Sequence, residues 1–185
     1  MGKMKWMIAS DLHGSALFCE KMLDAYDREQ ADRLLLLGDI LYHGPRNDLP
    51  EGYAPKEVIA MLNERKCDLL CVRGNCDAEV DQMVLQFPIL SDSLLFPWNR
   101  QILYATHGHR FSPEAPPPLH AGDVLLFGHT HIPIAEKRDE IYCINPGSVS
   151  LPKGNSTRGY LLLEDGIFLR KSFVSSFPEW SFPIY

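Results

Sequence analysis

The chain has 185 residues, 45% of them hydrophobic and 23% charged, with a formal net charge of -6. That size and balance fit one globular domain, residues 1–185, able to bury a sizeable core. The negative balance argues against stable nucleic-acid binding, and no stretch reaches the ~18 apolar residues of a membrane span. Five cysteines without framework spacing point to a reduced, cytoplasmic protein. No signal peptide is expected, because the first apolar run is short and leads directly into Asp11.

The first unit is Lys5-Trp6-Met7-Ile8-Ala9-Ser10, a strand that runs into Asp11-Leu12-His13-Gly14. A carboxylate and an imidazole stand there with one residue between them, a pair that suits a divalent cation. An N-capping Asp and an exposed His would look the same. Ser15 can cap a following helix whose apolar positions are Leu17, Phe18, Met22, Leu23 and Tyr26. The second unit is Leu34 to Leu37, a central parallel strand by its continuous apolar run, followed by Gly38-Asp39. Asp39 is a turn residue or a ligand. The loop beyond it carries His43-Gly44-Pro45-Arg46. Arg46 could fork onto a phosphate or be a solvated surface arginine, and His43 has the same two readings.

Pro55 fits the first turn of a helix through about Arg65, with Val58, Ile59, Met61 and Leu62 on its apolar face. The third unit runs from Asp68 to Arg73 and ends in Gly74-Asn75-Cys76-Asp77. Asn75 could be a left-handed turn residue or offer its amide oxygen to a metal. Asp77, Glu79 and Asp81 read as a solvated helix start. After Phe87-Pro88 strand follows strand. Ser93 to Phe96 and Gln101 to Ala105 flank the connection Pro97-Trp98-Asn99-Arg100 and lead to the fourth unit, Thr106-His107-Gly108-His109. Pro116-Pro117-Pro118 reads as a stiff connector. The fifth unit is Val124 to Phe127, then Gly128-His129-Thr130-His131. Short strands at Ile132 to Glu136 and Ile141 to Ile144, a turn-rich loop at Asn145 to Ser150, and a hairpin of Tyr160 to Leu163 with Ile167 to Arg170 follow. The aromatic, proline-rich tail Phe177 to Tyr185 packs on the body or forms an oligomer contact.

Ligands in open α/β sheets gather where strands end. Five such ends would bring together Asp11, His13, Asp39, Asn75, His107, His129 and His131. Two carboxylates, one amide and four imidazoles are too many for one ion with an open position. They suit two ions sharing a carboxylate. Nitrogen and oxygen donors without thiolate suit Mn, Fe, Co, Ni or Zn.

The blocks Asp11-x-His13, Gly38-Asp39, Gly74-Asn75, Thr106-His107-Gly108-His109 and Gly128-His129-x-His131 resemble, in order, those of the calcineurin-like metallophosphoesterases. Asn75-Cys76-Asp77, His43-Gly44-Pro45-Arg46 and Asn145-Pro146-Gly147-Ser148 are similar to that family's small bacterial phosphodiesterases over nearly the whole chain. The resemblance implies a four-layer α/β/β/α sandwich of two mixed β-sheets. It implies one ion on Asp11, His13, Asp39 and His131 and a second on Asp39, Asn75, His107 and His129, with Mn²⁺ the usual activator, and a homo-oligomer, dimer or larger. The implied reaction is hydrolysis of a small phosphodiester by a metal-activated hydroxide attacking phosphorus in line. Arg46 would neutralise a non-bridging oxygen; His43 and His109 could contact substrate or donate a proton. Many relatives carry a histidine general acid after the metal-binding Asn, where this chain has Cys76. A weakly donating thiol favours diesters with good leaving groups; a space-filling role is the plainer reading of it, and Asp77 would orient the site rather than react. The competing functions are a metal-dependent phosphomonoesterase or nucleotidase, and a non-catalytic scaffold of the same fold.

Overall fold

The computed structural model describes residues 4–184. Strand β1 (Trp6–Ala9), helix α1 (Ala16–Glu29), strand β2 (Arg33–Leu36), helix α2 (Pro55–Glu64) and strand β3 (Leu69–Cys71) form two successive crossovers. The three strands are parallel, with Trp6 opposite Arg33 and Leu34 opposite Leu69. Ser15 caps α1 by accepting the Phe18 N–H at 3.3 Å, and Gln30 ends it in a left-handed conformation. Pro55 opens α2, where a missing N–H costs nothing. A four-residue helix, α3 (Glu79–Gln82), buries none of its residues. It begins two residues after Asp77, whose side chain is buried rather than part of a solvated helix start.

A second sheet follows: β4 (Ser93–Trp98), β5 (Gln101–Thr106), β6 (Val124–Leu126), β7 (Pro133–Arg138) and β8 (Ile141–Pro146), in the order β4-β5-β6-β8-β7. The first hairpin is tighter than the sequence suggests. Pro97 and Trp98 stay in β4, and a left-handed Asn99 lets Asn99-Arg100 make the turn. The chain then returns to the first sheet through β9 (Gly159–Glu164), β10 (Ile167–Ser172) and β11 (Trp180–Pro183), giving the order β11-β10-β9-β1-β2-β3. The aromatic tail thus contributes an edge strand; its last residue, Tyr185, lies outside the described residues. Both sheets are mixed, since each combines parallel and antiparallel pairs.

The period-two alternation of each strand sorts its side chains into separate cores. Met7, Ala9, Leu34 and Leu36 face the helices, against Phe18, Met22, Val58 and Leu62. Ile8, Leu35, Leu37 and Leu161 face the other sheet, against Ala105, Val124, Leu126 and Ile144. Burial on both faces is why β2 reads as unbroken leucine. On the outer face of the second sheet, Leu125, Phe127 and Cys143 are covered in part by Leu119. The segment between β5 and β6 that carries Leu119 has no helix, so this outer layer of the expected sandwich is irregular chain. Three consecutive prolines, 116 to 118, lack the N–H donors a helix needs there.

Candidate metal centre

The loops after β1, β2 and β3 carry Asp11, His13, Asp39 and Asn75; those after β5 and β6 carry His107, His129 and His131. Both sheets therefore present their parallel strand ends to one place. The loops are tightly wound: Asp11, His13, Asp39, His129 and His131 all have φ between 50° and 64°. A left-handed residue other than glycine costs about 1–2 kcal/mol, and such strain persists only where the surroundings enforce it. Here the first loop rides on the second, with the N–H groups of Asp11, His13 and Gly14 donating to the carbonyls of Gly38, Asp39 and Ile40. Two glycines allow the close approach. A Cβ on Gly74 would overlap the Asp39 carboxylate, and one on Gly128 would overlap the Ser10 hydroxyl.

The ring orientations are fixed from behind. His13, His107 and His131 each turn Nδ1 to a backbone carbonyl, of Tyr42 (2.8 Å), Leu37 (2.6 Å) and Leu151 (2.6 Å). Donation of Nδ1–H to those carbonyls leaves the Nε2 lone pairs pointing inward. Inside, His13 Nε2 lies 3.2 Å from His131 Nε2, and His107 Nε2 lies 3.2 Å from His129 Nδ1 and 3.0 Å from Asn75 Oδ1. His129 is the exception in that its Nδ1 is the inward atom.

The carboxylates complete the set. Asp39 Oδ1 accepts the Cys76 N–H at 2.8 Å, while Oδ2 sits 3.4 Å from His107 Nε2 and 3.7 Å from His13 Nε2. Asp11 Oδ2 accepts from the Ser10 hydroxyl and the His129 N–H. Asp11 Oδ1 is buried with no hydrogen-bond partner, 3.3 Å from His131 Nε2. An orphaned anionic oxygen facing inward lone pairs is unstable unless a positive charge sits among them. The donor set fits divalent cations: Asp11, His13 and His131 form one group with ligand atoms within 4.8 Å of one another, and Asp11, Asp39 and His107 another.

The balance of charge within the cluster points the same way. Burial alone would lower His107, yet the hydrogen bond to Asp39 and the charges of Asp11 and Asp39 drive it up to about 9. Burial opposes ionisation of Asp11 as well, but the imidazole of His131, 3.3 Å from Oδ1, and those of His107 and His13 hold its carboxyl far below the usual range. His13 and His129 are both lowered, chiefly by burial, and keep free lone pairs at neutral pH.

Above the cluster opens a cleft of about 870 Å³ whose walls include Asp39, Arg46, Asn75, Cys76, His129 and Lys153. Arg46 therefore reaches the cleft. Cys76 does too, its thiol pushed up to about 12 by burial and then by Asp39, and its Sγ accepts from the Asn75 amide at 3.2 Å. His109 is exposed beside the cluster, its ring 5.4 Å from that of His107. His43 is not brought to the cleft wall; its ring stands edge-on between Tyr42 and Tyr53.

Several contributors take up their roles only in the folded chain. Lys153 lines the cleft from a loop that follows the last ligand by more than twenty residues. Ser148 and Ser150 donate their hydroxyls to the Asp11 carbonyl, and Asn145 donates to the Gly128 carbonyl and the Thr130 hydroxyl. The turn-rich loop 145–150 is thus a brace for two ligand loops. Asp77 braces a third, its carboxylate accepting the N–H groups of Asp39, Ile40 and Gly74 at 2.7–2.8 Å. Burial first, and then the Asp39 charge, raise that carboxyl to about 6.

Comparison with known proteins agrees with this geometry. The model of the calcineurin-like phosphoesterase superfamily domain matches residues 4–165. Phosphodiesterase YfcE of Escherichia coli (strain K12) is 50% identical over 169 residues, 89% of either chain. The solved structure of E. coli YfcE, a phosphoesterase, aligns with a TM-score of 0.95 at 46% identity, over 98% of this chain and 100% of that one. Probable metallophosphoesterase YsnB of Bacillus subtilis is 27% identical over 176 residues, 86% of this chain and 83% of its own. With a family model spanning most of its length and a relative at half identity, the chain belongs to the calcineurin-like phosphoesterase superfamily.

Proposed function

We infer that the protein is a metal-dependent phosphodiesterase acting on a small phosphodiester. The observation that carries this reading is the convergence of seven oxygen and nitrogen donors, with an unpartnered Asp11 oxygen among them, on the floor of an open cleft lined by cations. One ion is assigned to Asp11, His13, Asp39 and His131 and the other to Asp39, Asn75, His107 and His129. The placement of Asp39 Oδ2 between His13 and His107 supports a shared role for that carboxylate. Mn²⁺ is the proposed ion, with Zn²⁺, Fe²⁺, Co²⁺ and Ni²⁺ as alternatives that the donor set also accommodates. Divalent cations held there would acidify water and offset charge on the phosphoryl oxygens.

The chain's own residues do the rest. Arg46 and Lys153, both exposed in the cleft, neutralise the ester's non-bridging oxygens and hold it over the cluster. The Asn75 amide nitrogen donates to the Cys76 sulfur at 3.2 Å, which turns its Oδ1 toward His107 and the cluster. Cys76 stays a neutral thiol at working pH and is a poor proton donor. The leaving alkoxide must therefore be a good one or take its proton from His109 or water, which supports diesters over monoesters. The five free cysteines support a reducing compartment, the cytoplasm. Val174 and Phe177, 91% and 79% exposed, support self-association into a dimer or tetramer. No helix among the described residues is long and apolar enough to cross a membrane.

The direct test is hydrolysis of bis-4-nitrophenyl phosphate and 4-nitrophenyl phosphate by protein loaded with Mn²⁺. The expected result is turnover of the diester at a kcat/KM at least tenfold above the monoester. Asp39→Asn should lose that activity by a factor of about 100 or more and bind fewer ions by metal analysis. Silence with every divalent ion would favour a scaffold; faster turnover of the monoester would favour a phosphatase or nucleotidase.

A further inference from the structure

Beside the cleft lies a second concavity of about 460 Å³, between α2 and α3, walled by Tyr42, Tyr53, Ile59, Val80 and Val84. It is continuous with the cleft, since Tyr42, Cys76 and Ala78 line both. The chemistry changes across that ridge. The cleft has Arg46, Arg73 and Lys153 in its walls, whereas the groove has two charged residues of opposite sign, Lys56 and Asp81. Asp81 is already engaged, accepting the Ala78 N–H at 2.8 Å. With one cation and one engaged carboxylate, the groove is far less charged than the cleft. It offers two tyrosine rings and branched aliphatic side chains.

Three of those side chains are left largely uncovered by the protein. Tyr42 is 44% exposed, Val80 62% and Val84 44%. Apolar residues gathered at the mouth of a polar site, rather than scattered singly, call for an apolar occupant. The groove begins one residue from the cluster, because Cys76 donates its N–H to Asp39 and also lines the groove. From this continuity we propose that the groove between α2 and α3 is the subsite for an apolar, preferably aromatic, ester substituent of the phosphodiester substrate. The proposal rests on the phosphodiesterase reading of the cleft and adds the substrate class to it.

Two non-hydrolysable probes separate this idea from that reading. Calorimetry of the Mn²⁺-loaded protein with phenylphosphonate and methylphosphonate compares the same anion with and without a ring. Phenylphosphonate should bind about tenfold more tightly, the order expected from burying most of one ring. In Val80→Asp/Val84→Asp the ratio should fall to within about twofold. Val80 stands on α3, which has no buried residue, and Val84 lies just beyond it; both are exposed, so neither substitution opens a core. Equal affinities in the unaltered protein, or a ratio that survives the double change, would overturn the proposal. If such a protein still hydrolyses bis-4-nitrophenyl phosphate, the groove alone has been misread. If it hydrolyses no diester with any divalent ion and binds neither phosphonate, the reading of the cleft falls and the subsite with it. A changed sedimentation coefficient in the double variant would also overturn the proposal, by making the groove a contact between copies.

Discussion

Asp77 shows how far a single carboxylate can set a site to which it lends no ligand. Its two oxygens collect three backbone N–H groups, two from the loop after β2 and one from the loop after β3. Asp77→Asn keeps the shape but turns an NH₂ toward donors. One N–H is then left unpaired, at a cost of about 1–3 kcal/mol. Metal affinity should fall by roughly 10–100-fold, as when an outer partner of a ligand is lost. Urea unfolding and a Mn²⁺ titration would read the two effects separately. Far from the cluster, Glu29 accepts from Lys171 at 2.8 and 2.9 Å and from the Tyr160 hydroxyl at 2.8 Å. Burial alone would raise its carboxyl, but Lys171, Tyr160 and Lys5 lower it. A depressed folded pKa means the stabilisation is present above the ordinary carboxylate range and disappears as pH falls through the folded value. Glu29→Gln should therefore be less stable by about 1 kcal/mol at pH 7. The gap should close in acid, below about pH 4, in denaturation curves taken across pH.

At the level of elements, the ligand loops depend on glycines that let backbones approach. Gly74 faces Asp39 with no room for a methyl group, and Gly38 faces the Gly74 backbone in turn. Gly74→Ala should push the loops after β2 and β3 apart. The overpacking costs about 1–3 kcal/mol, and Mn²⁺ affinity should fall at least tenfold while the far-ultraviolet spectrum stays native; unaltered metal binding would contradict the geometry. The apolar run followed by a polar residue that marks the ends of β1, β2, β3, β5 and β6 is legible in the chain because each is local. So are α1, α2 and the hairpin of β9 and β10, whose caps, periods and turns lie within a few residues. What is not legible is assembled over distance. Ser148 and Ser150 act on Asp11 from the opposite end of the chain, which only the family resemblance of Asn145-Pro146-Gly147-Ser148 hints at, and Lys153 has no local signal. The depth of Asp77 is hidden for a similar reason. An acidic stretch looks solvated until the loop from β2 is folded over it. The irregular layer over the second sheet and the edge strand β11 also emerge only from packing.

The molecule as a whole is two sheets joined at one end by the donor cluster. Asp11, His13, Asp39 and Asn75 come from the first sheet and His107, His129 and His131 from the second. Ions held there bind the native state and not the unfolded chain. Free metal at a hundred times its dissociation constant then adds ~2.7 kcal/mol of stability. For a chain of this size that is roughly 5–10 °C in Tm. Removing metal with a chelator should lower the transition by that amount in calorimetry, and readdition of Mn²⁺ should restore it. A transition indifferent to chelation would mean that no ion spans the sheets.

The position of β9 has a consequence for how the chain is made. This late segment lies directly beside β1, between the opening strand and β10. A ribosome releases β1 long before its neighbour exists, so one side of that strand waits with its amides and carbonyls unmatched. Nascent chains arrested before residue 159 should stick to chaperones or to one another, and only those that include β9 should become protease-resistant.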